Sequence, residues 1–432
     1  MIRTSRRQLL AASLAAAAPT GLAAPRGASA QARPSSLTII SHRVHQQVLS
    51  EGGGGDVLAD WRERNGVSLE WVTLDLNAIH DRAFREARLS SSNITMSYVL
   101  NTRAVPSTFA MFEPIDEYQQ RDPIEEFEDF SPGMVRAYTH QGKRYGVPVR
   151  HSVNALHYNE AYLQERGLDR PPQVIDELVE YARKLTFTKP DGTQVHGWGI
   201  QADNYSDVVS MARAFGGDLI NENMECVADG PGMVRALETL REMYQDGMMP
   251  RNITAMKQND MITAIQNGQV AMQYFPFGRT VLFNNPRSSR FPGKFGTAFC
   301  LNSREGAARD EINTTAEFWC MMIPRNGRVK DMAWSLIKEI SSKENTIRAA
   351  MNGNQPARVS AYADPRLLAN VSYAAKEAQS LRHARVPMPA FDRSAQAKDI
   401  FVEEMQAAML GMRSPQAAGA NMARRIKPLL PR

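Results

Sequence analysis

The side chains able to do chemistry in this 432-residue chain do not fall into the spacings that organise catalysis. There is no G-x-S-x-G nucleophile elbow, no H-E-x-x-H zinc helix, no G-x-x-x-x-G-K-[ST] phosphate loop and no G-x-G-x-x-G after a strand. The run Gly52 to Gly55 lacks the Lys-Ser/Thr that makes a phosphate cradle and reads as a mobile turn. His42-x-x-His45 has a spacing that a metal could bridge, but no further ligands accompany it, so neither a metal nor a cofactor is expected. Cys226, Cys300 and Cys320 form no C-x-x-C, permit at most one intrachain disulfide, and read as small buried hydrophobes. What remains is hydrogen-bonding chemistry. His42, Arg43 and His45 follow a first strand, Asn101 and Thr102 follow a third, and Arg150, Ser152 and Asn154 alternate along another. Groups at strand ends of an open α/β sheet suit the capture of a polar small molecule.

The elements that must position these groups alternate. Leu37 to Ser41 reads as a strand, and Asp56 is placed to cap a helix over 57–64. A second strand over 67–72, a helix over 78–89 and a third strand over 94–100 follow, which implies an α/β domain with a largely parallel sheet. Amphipathic helices are expected over 174–185, 233–244 and 256–267, and a strand after Gly268. Beyond Pro324 helices dominate, over 330–341, 343–351, 365–368 and 395–412.

Composition narrows the class. Hydrophobic residues make up 43% and charged residues 22%, enough for two or three packed units. Residues 1–30 hold Arg3, Arg6, Arg7 and Arg26 and no acid, so the +5 formal charge of the whole chain falls close to neutral without them. That balance gives no electrostatic reason to expect a nucleic acid partner. The same thirty residues combine Arg6-Arg7 with an alanine-rich middle and Ala28-Ser29-Ala30, the parts of a cleaved export signal of the twin-arginine type. A soluble periplasmic protein, monomeric, is the expectation.

Several short segments occur in a telling order: Gly142-Lys143-x-Tyr145-Gly146-Val147-Pro148, Leu156-x-Tyr158-Asn159 and Gly167-Leu168-Asp169-x-Pro171-Pro172. They are followed by Asn267-Gly268-Gln269-Val270-Ala271-Met272, Ile323-Pro324-Arg325-Asn326-Gly327, Gly353-x-x-Pro356-x-Arg358-x-Ser360 and Gly411-x-x-Ser414-Pro415. The set resembles the extracellular solute-binding proteins of ABC importers, in the sugar-binding group akin to maltose-binding protein. The resemblance spans roughly residues 37–430. It implies a two-lobed α/β fold of the periplasmic-binding-protein type II, with lobes joined by three hinge crossings and ligand in the cleft. The crossings would fall near 149–153, 274–279 and 318–323. Lobe 1 would hold 37–149 and 277–320, and lobe 2 would hold 150–276 and 321–432. The implied role is to capture a sugar or sugar derivative by closing and to deliver it to a membrane permease. The alternatives are a glycosidase-like enzyme, since paired carboxylates leave no sequence signature, and a sensor subunit of the same fold.

Sugars present apolar faces and hydroxyl rims, so aromatic platforms and polar grips are needed together. With the strand-end groups above, the resemblance points to His42, Arg43, Asn101, Arg150, Ser152, Tyr205, Phe277, Arg279, Trp319, Asn354 and Arg358 as ligand contacts. Where some relatives carry an acid in the first crossing, this chain has Ser152, and arginines outnumber acids near the expected cleft. An acidic or phosphorylated sugar, paired with a guanidinium fork, is therefore the expected solute.

Overall fold

Alternating and continuous apolar runs set two sheets. The computed structural model describes residues 34–431, so the export signal expected over 1–30 lies outside the described residues. Strands β1 (Ser36–Ser41), β2 (Ser68–Thr73) and β3 (Ile94–Leu100) alternate with the helices Arg43–Ser50, Ala59–Asn65 and Leu76–Ala87. Every residue of β3 is buried, as a strand covered on both faces requires. A two-residue hairpin, β4 (Thr139–His140) with β5 (Lys143–Arg144), precedes β6 (Val147–His151) and β7 (Asn154–Asn159). Then come β8 (Phe187–Thr188), β9 (Gln194–Gly199), β10 (Val270–Pro276), β11 (Phe295–Ala298) and β12 (Phe318–Met322).

The first sheet has the order β2-β1-β3-β12-β6 and the second β11-β7-β10-β9-β8. Both are mixed rather than largely parallel. In the first sheet β1 is parallel to β2 and β3, whereas β12 is antiparallel to β3 and β6. In the second, β10 runs parallel to β9 and antiparallel to β7. Each sheet has its own core. Leu37, Met96, Trp334 and Ile337 belong to one, and Trp198, Tyr274, Phe275 and Phe401 to the other.

Sheet membership departs from the expected lobe boundaries in two places. β11 pairs with β7, and Phe283 and Phe295 pack in the second core, so 280–298 sides with the second sheet rather than lobe 1. The helices Lys330–Ser341 and Lys343–Met351 place Trp334, Leu336, Ile337 and Ala349 in the first core, although 321–432 was assigned to lobe 2. The two helices are readable from the sequence but their partner sheet is not, and for 280–298 the sequence points to no element.

The glycine run is also not a free turn. The Gly54 N–H donates to Asn352 Oδ1 at 2.7 Å, and a Cβ at Gly54 would lie 2.0 Å from the Arg348 carbonyl oxygen. Glycine is needed there because two backbones meet. Cys226, Cys300 and Cys320 are buried and unpaired. Among the described residues no helix is long and apolar enough to cross a membrane.

Candidate functional site

Between the ends of the two sheets lies a cavity of about 290 Å³. The first sheet contributes Arg150 and Trp319, which pair in register across β6 and β12 and so leave the sheet on one face. Trp319 is 6% exposed and firmly held. His45 meets its ring edge-on at 4.7 Å between centroids, and His80 stacks beneath it at 5.6 Å. His80 Nδ1 donates to the Leu76 carbonyl at 2.9 Å, and its Nε2 accepts from the Leu100 N–H at 3.1 Å. That pairing requires the neutral imidazole, and burial pulls the His80 pKa down to about 3. His42 caps the helix Arg43–Ser50, its Nδ1 accepting from the Val44 N–H at 3.3 Å. Burial, then the charges of Arg279 and Arg150, bring its pKa down to about 3 as well.

Arg279 enters from the single 3-10 turn Phe277–Arg279 that follows β10. It is 6% exposed, Arg150 is 1% exposed, and among the described residues neither makes an ion pair. Arg150 has one long hydrogen bond, Nε to the His151 carbonyl at 3.4 Å, and both its terminal nitrogens lack partners. Arg279 Nε is buried without a partner. Burial pulls the Arg150 pKa down to about 10; burial and then the Arg150 charge pull Arg279 to about 9. The acid acting on Arg150 is Glu377, which burial pushes up to about 8, so near neutral pH it is largely uncharged and offsets little. Two desolvated like charges thus face one cavity uncompensated, an arrangement that an anion relieves.

The other end of the cavity is mixed in charge. Glu317 stands immediately before β12, with the Tyr205 hydroxyl 3.4 Å from its Oε1. Burial pushes its carboxyl up and Lys398 counters this; burial pulls the Lys398 ammonium down and Glu317 opposes it. Lys257 and Asp203 pair at 3.3 Å. Asn204 Oδ1 accepts from the N–H groups of Tyr205 and Ser206, which fixes the start of the helix Ser206–Ala214.

The cavity therefore gathers five of the expected residues: His42, Arg150, Ser152, Arg279 and Trp319. The other six lie elsewhere. Arg43 is exposed on its helix. Asn101 Oδ1 accepts from the Phe318 N–H at 2.8 Å, tying β3 to β12. Tyr205 is buried behind Glu317, with its ring edge toward Phe401. Phe277 is buried against Tyr373, 6.0 Å between ring centroids. Asn354 Nδ2 donates to the Val149 carbonyl at 3.1 Å. Arg358 is fully used in structure: it donates to the carbonyls of Ser341, Glu126 and Glu125 and pairs with Asp129 at 3.3 Å. Glu317, Lys398, Asp203, Asn204 and Lys257 were not singled out from sequence. Glu317 is an acid of the lining, whereas Ser152 stands at the first crossing. The position of Glu317 just ahead of Phe318-Trp319 was the available signal.

Asp207, one residue beyond the cavity-lining Ser206, is 2% exposed, and its Oδ2 has no partner. Burial pushes its pKa up to about 7 against an unperturbed 3.8. Between these values the unfolded chain is ionised while the folded chain keeps the proton, so stability falls as pH rises from about 4 to 7. Asp207→Asn is expected to remove this pH dependence. Urea unfolding should show the variant gaining on the natural protein by up to a few kcal/mol across that window. Parallel pH profiles would contradict the assignment.

The model of the family described as bacterial extracellular solute-binding protein matches residues 57–375, most of the chain. The chain belongs to that family. A binding protein of Brucella abortus is 25% identical to this solute-binding protein over 330 residues, covering 74% of this chain and 75% of that one. A Sinorhizobium fredii protein described as a probable amino-acid ABC transporter periplasmic-binding protein is 21% identical over 99% of this chain and 98% of its own. Among solved structures, the maltose-bound MalE3 of T. maritima superposes with a TM-score of 0.80 at 23% identity, covering 91% of this chain and all of its own. An Agrobacterium radiobacter solute-binding protein in complex with ribitol gives 0.75 at 19% identity, over 91% and 98%. The solute-binding protein thus has the fold of periplasmic binding proteins.

Proposed function

We propose that this solute-binding protein is the substrate-binding component of an ABC importer. It captures an acidic sugar, a sugar acid or sugar phosphate, in the cavity between its sheets and hands it to a membrane permease. Export through the twin-arginine signal over 1–30, with cleavage after Ala30, would deliver it to the periplasm as a monomer. The two sheets with their separate cores act as the lobes of a clamp, hinged where the chain passes between sheets, from β6 to β7 and from β11 to β12. Ligand touching both lobes would shift an open–closed equilibrium toward the closed form that a permease recognises. The observation that carries the reading is the buried pair Arg150 and Arg279, without ion-pair partners, lining a cavity that also offers Trp319, Glu317 and Asn204. Relatives support the binding role and a carbohydrate-like solute, not its charge: similar chains are binding proteins, and solved neighbours hold maltose and ribitol. A thermal-shift screen across sugars, sugar acids, polyols and sugar phosphates tests it. A true ligand at a hundred times its Kd stabilises by about 2.7 kcal/mol. The largest shift is expected from an acidic member, and a screen in which no member of any class raises the melting temperature would sink the proposal.

A further inference from the structure

The cavity is polar in two different ways at its two ends. At one end Arg150 and Arg279 present positive charge with no acid paired to it. The terminal nitrogens of Arg150 are enclosed, so the fork left for a solute is that of Arg279, one planar guanidinium that matches one planar carboxylate. At the other end Glu317 is countered by Lys398, and Asp203 by Lys257. An ammonium placed there would meet those two lysines, whereas hydroxyls can accept from the lysines and donate to the carboxylates. The lining holds four cations, Arg150, Arg279, Lys257 and Lys398, against the three carboxylates of Asp75, Asp203 and Glu317. A single negative charge closes that balance, while a phosphate monoester of about −1.5 to −2 overshoots it.

We infer that the solute is a hydroxylated monocarboxylate, its carboxylate on Arg279 beside Arg150 and its hydroxyls toward Glu317, Lys398 and Asn204. This rests on the reading above and narrows it from acidic carbohydrates to sugar acids held in one orientation.

Calorimetry at pH 7 on the protein tests it with hexonates and hexuronates of the gluco, galacto and manno series, their neutral parent sugars, the hexose 6-phosphates and L-glutamine. At least one carboxylate is expected to bind about tenfold or more tighter than its neutral parent and than the matching phosphate. Arg279→Gln should abolish the preference, so that the acid binds no more tightly than its parent. Glu317→Gln should weaken acid and parent alike. Equal binding of acid and parent by the natural protein overturns the inference, whether or not the variants fold. Tightest binding by a phosphate overturns the carboxylate assignment while leaving the acidic-carbohydrate reading intact. Binding of glutamine alone, or of none of these solutes, overturns both.

Discussion

Adding one methyl group at Gly278 is expected to weaken solute binding about a hundredfold and to destabilise the fold by about 1–3 kcal/mol. A Cβ there would sit 2.2 Å from the Gly353 carbonyl oxygen, a backbone atom that cannot swing aside. Gly278 is the middle residue of the turn that carries Arg279, and the turn is pinned on both sides. The Phe277 N–H donates to the Val153 carbonyl at 3.1 Å, and Thr280 Oγ1 donates back to the Phe277 carbonyl at 2.7 Å. Relief requires the turn to move away from the loop bearing Gly353, and Arg279 moves with it. An ångström of displacement spoils a charge-assisted hydrogen bond far more than it spoils a hydrophobic contact. Gly293→Ala is the comparison: its φ is +73°, but nothing lies within 4 Å of an added Cβ, so backbone strain of about 1 kcal/mol is the whole expected cost. Calorimetry and urea unfolding on both variants check the pair. A Gly278→Ala protein that binds like the natural one would show that the turn does not position the site.

Two fully buried arginines should respond to the same substitution in opposite directions. Arg150→Met removes a desolvated charge whose terminal nitrogens have no partners, and it is expected to raise the stability of the unliganded protein by about 1–4 kcal/mol while abolishing most of the stabilisation conferred by solute. Arg358→Met removes a guanidinium that satisfies three backbone carbonyls and pairs with Asp129; it is expected to cost about 3–5 kcal/mol. The difference is whether the charge has partners within the fold or stands uncompensated beside the cavity. Melting curves with and without solute separate the cases. An Arg150→Met protein that is less stable than the natural one, yet binds normally, would mark Arg150 as structural.

The contrast between these arginines also shows what the sequence could reveal. Arg150, Ser152 and Trp319 were legible because strand alternation and the approach to a crossing fix where such side chains point. Arg358 looked equivalent, but its partners are the carbonyls of Ser341, Glu126 and Glu125, brought there by tertiary packing that no local pattern announces. Lys398 was invisible for the converse reason. It lies on the helix Ser394–Met409, whose Ala397, Phe401 and Met405 bury in the second core, and only that docking turns the lysine toward the cavity. The helix bounds Lys330–Ser341 and Lys343–Met351 agree with those expected from the sequence. Which sheet those helices cover does not follow from it, because an amphipathic face specifies burial without specifying a partner.

The central claim is a clamp that closes over one small acidic carbohydrate. Small-angle X-ray scattering of the protein, with and without a saturating sugar acid identified by calorimetry, tests it most directly. The expected result is a smaller radius of gyration with the sugar acid present, reversed on dialysis, and reached in Arg279→Gln only at higher sugar acid concentration. An unchanged scattering profile under conditions where calorimetry shows full occupancy would contradict it.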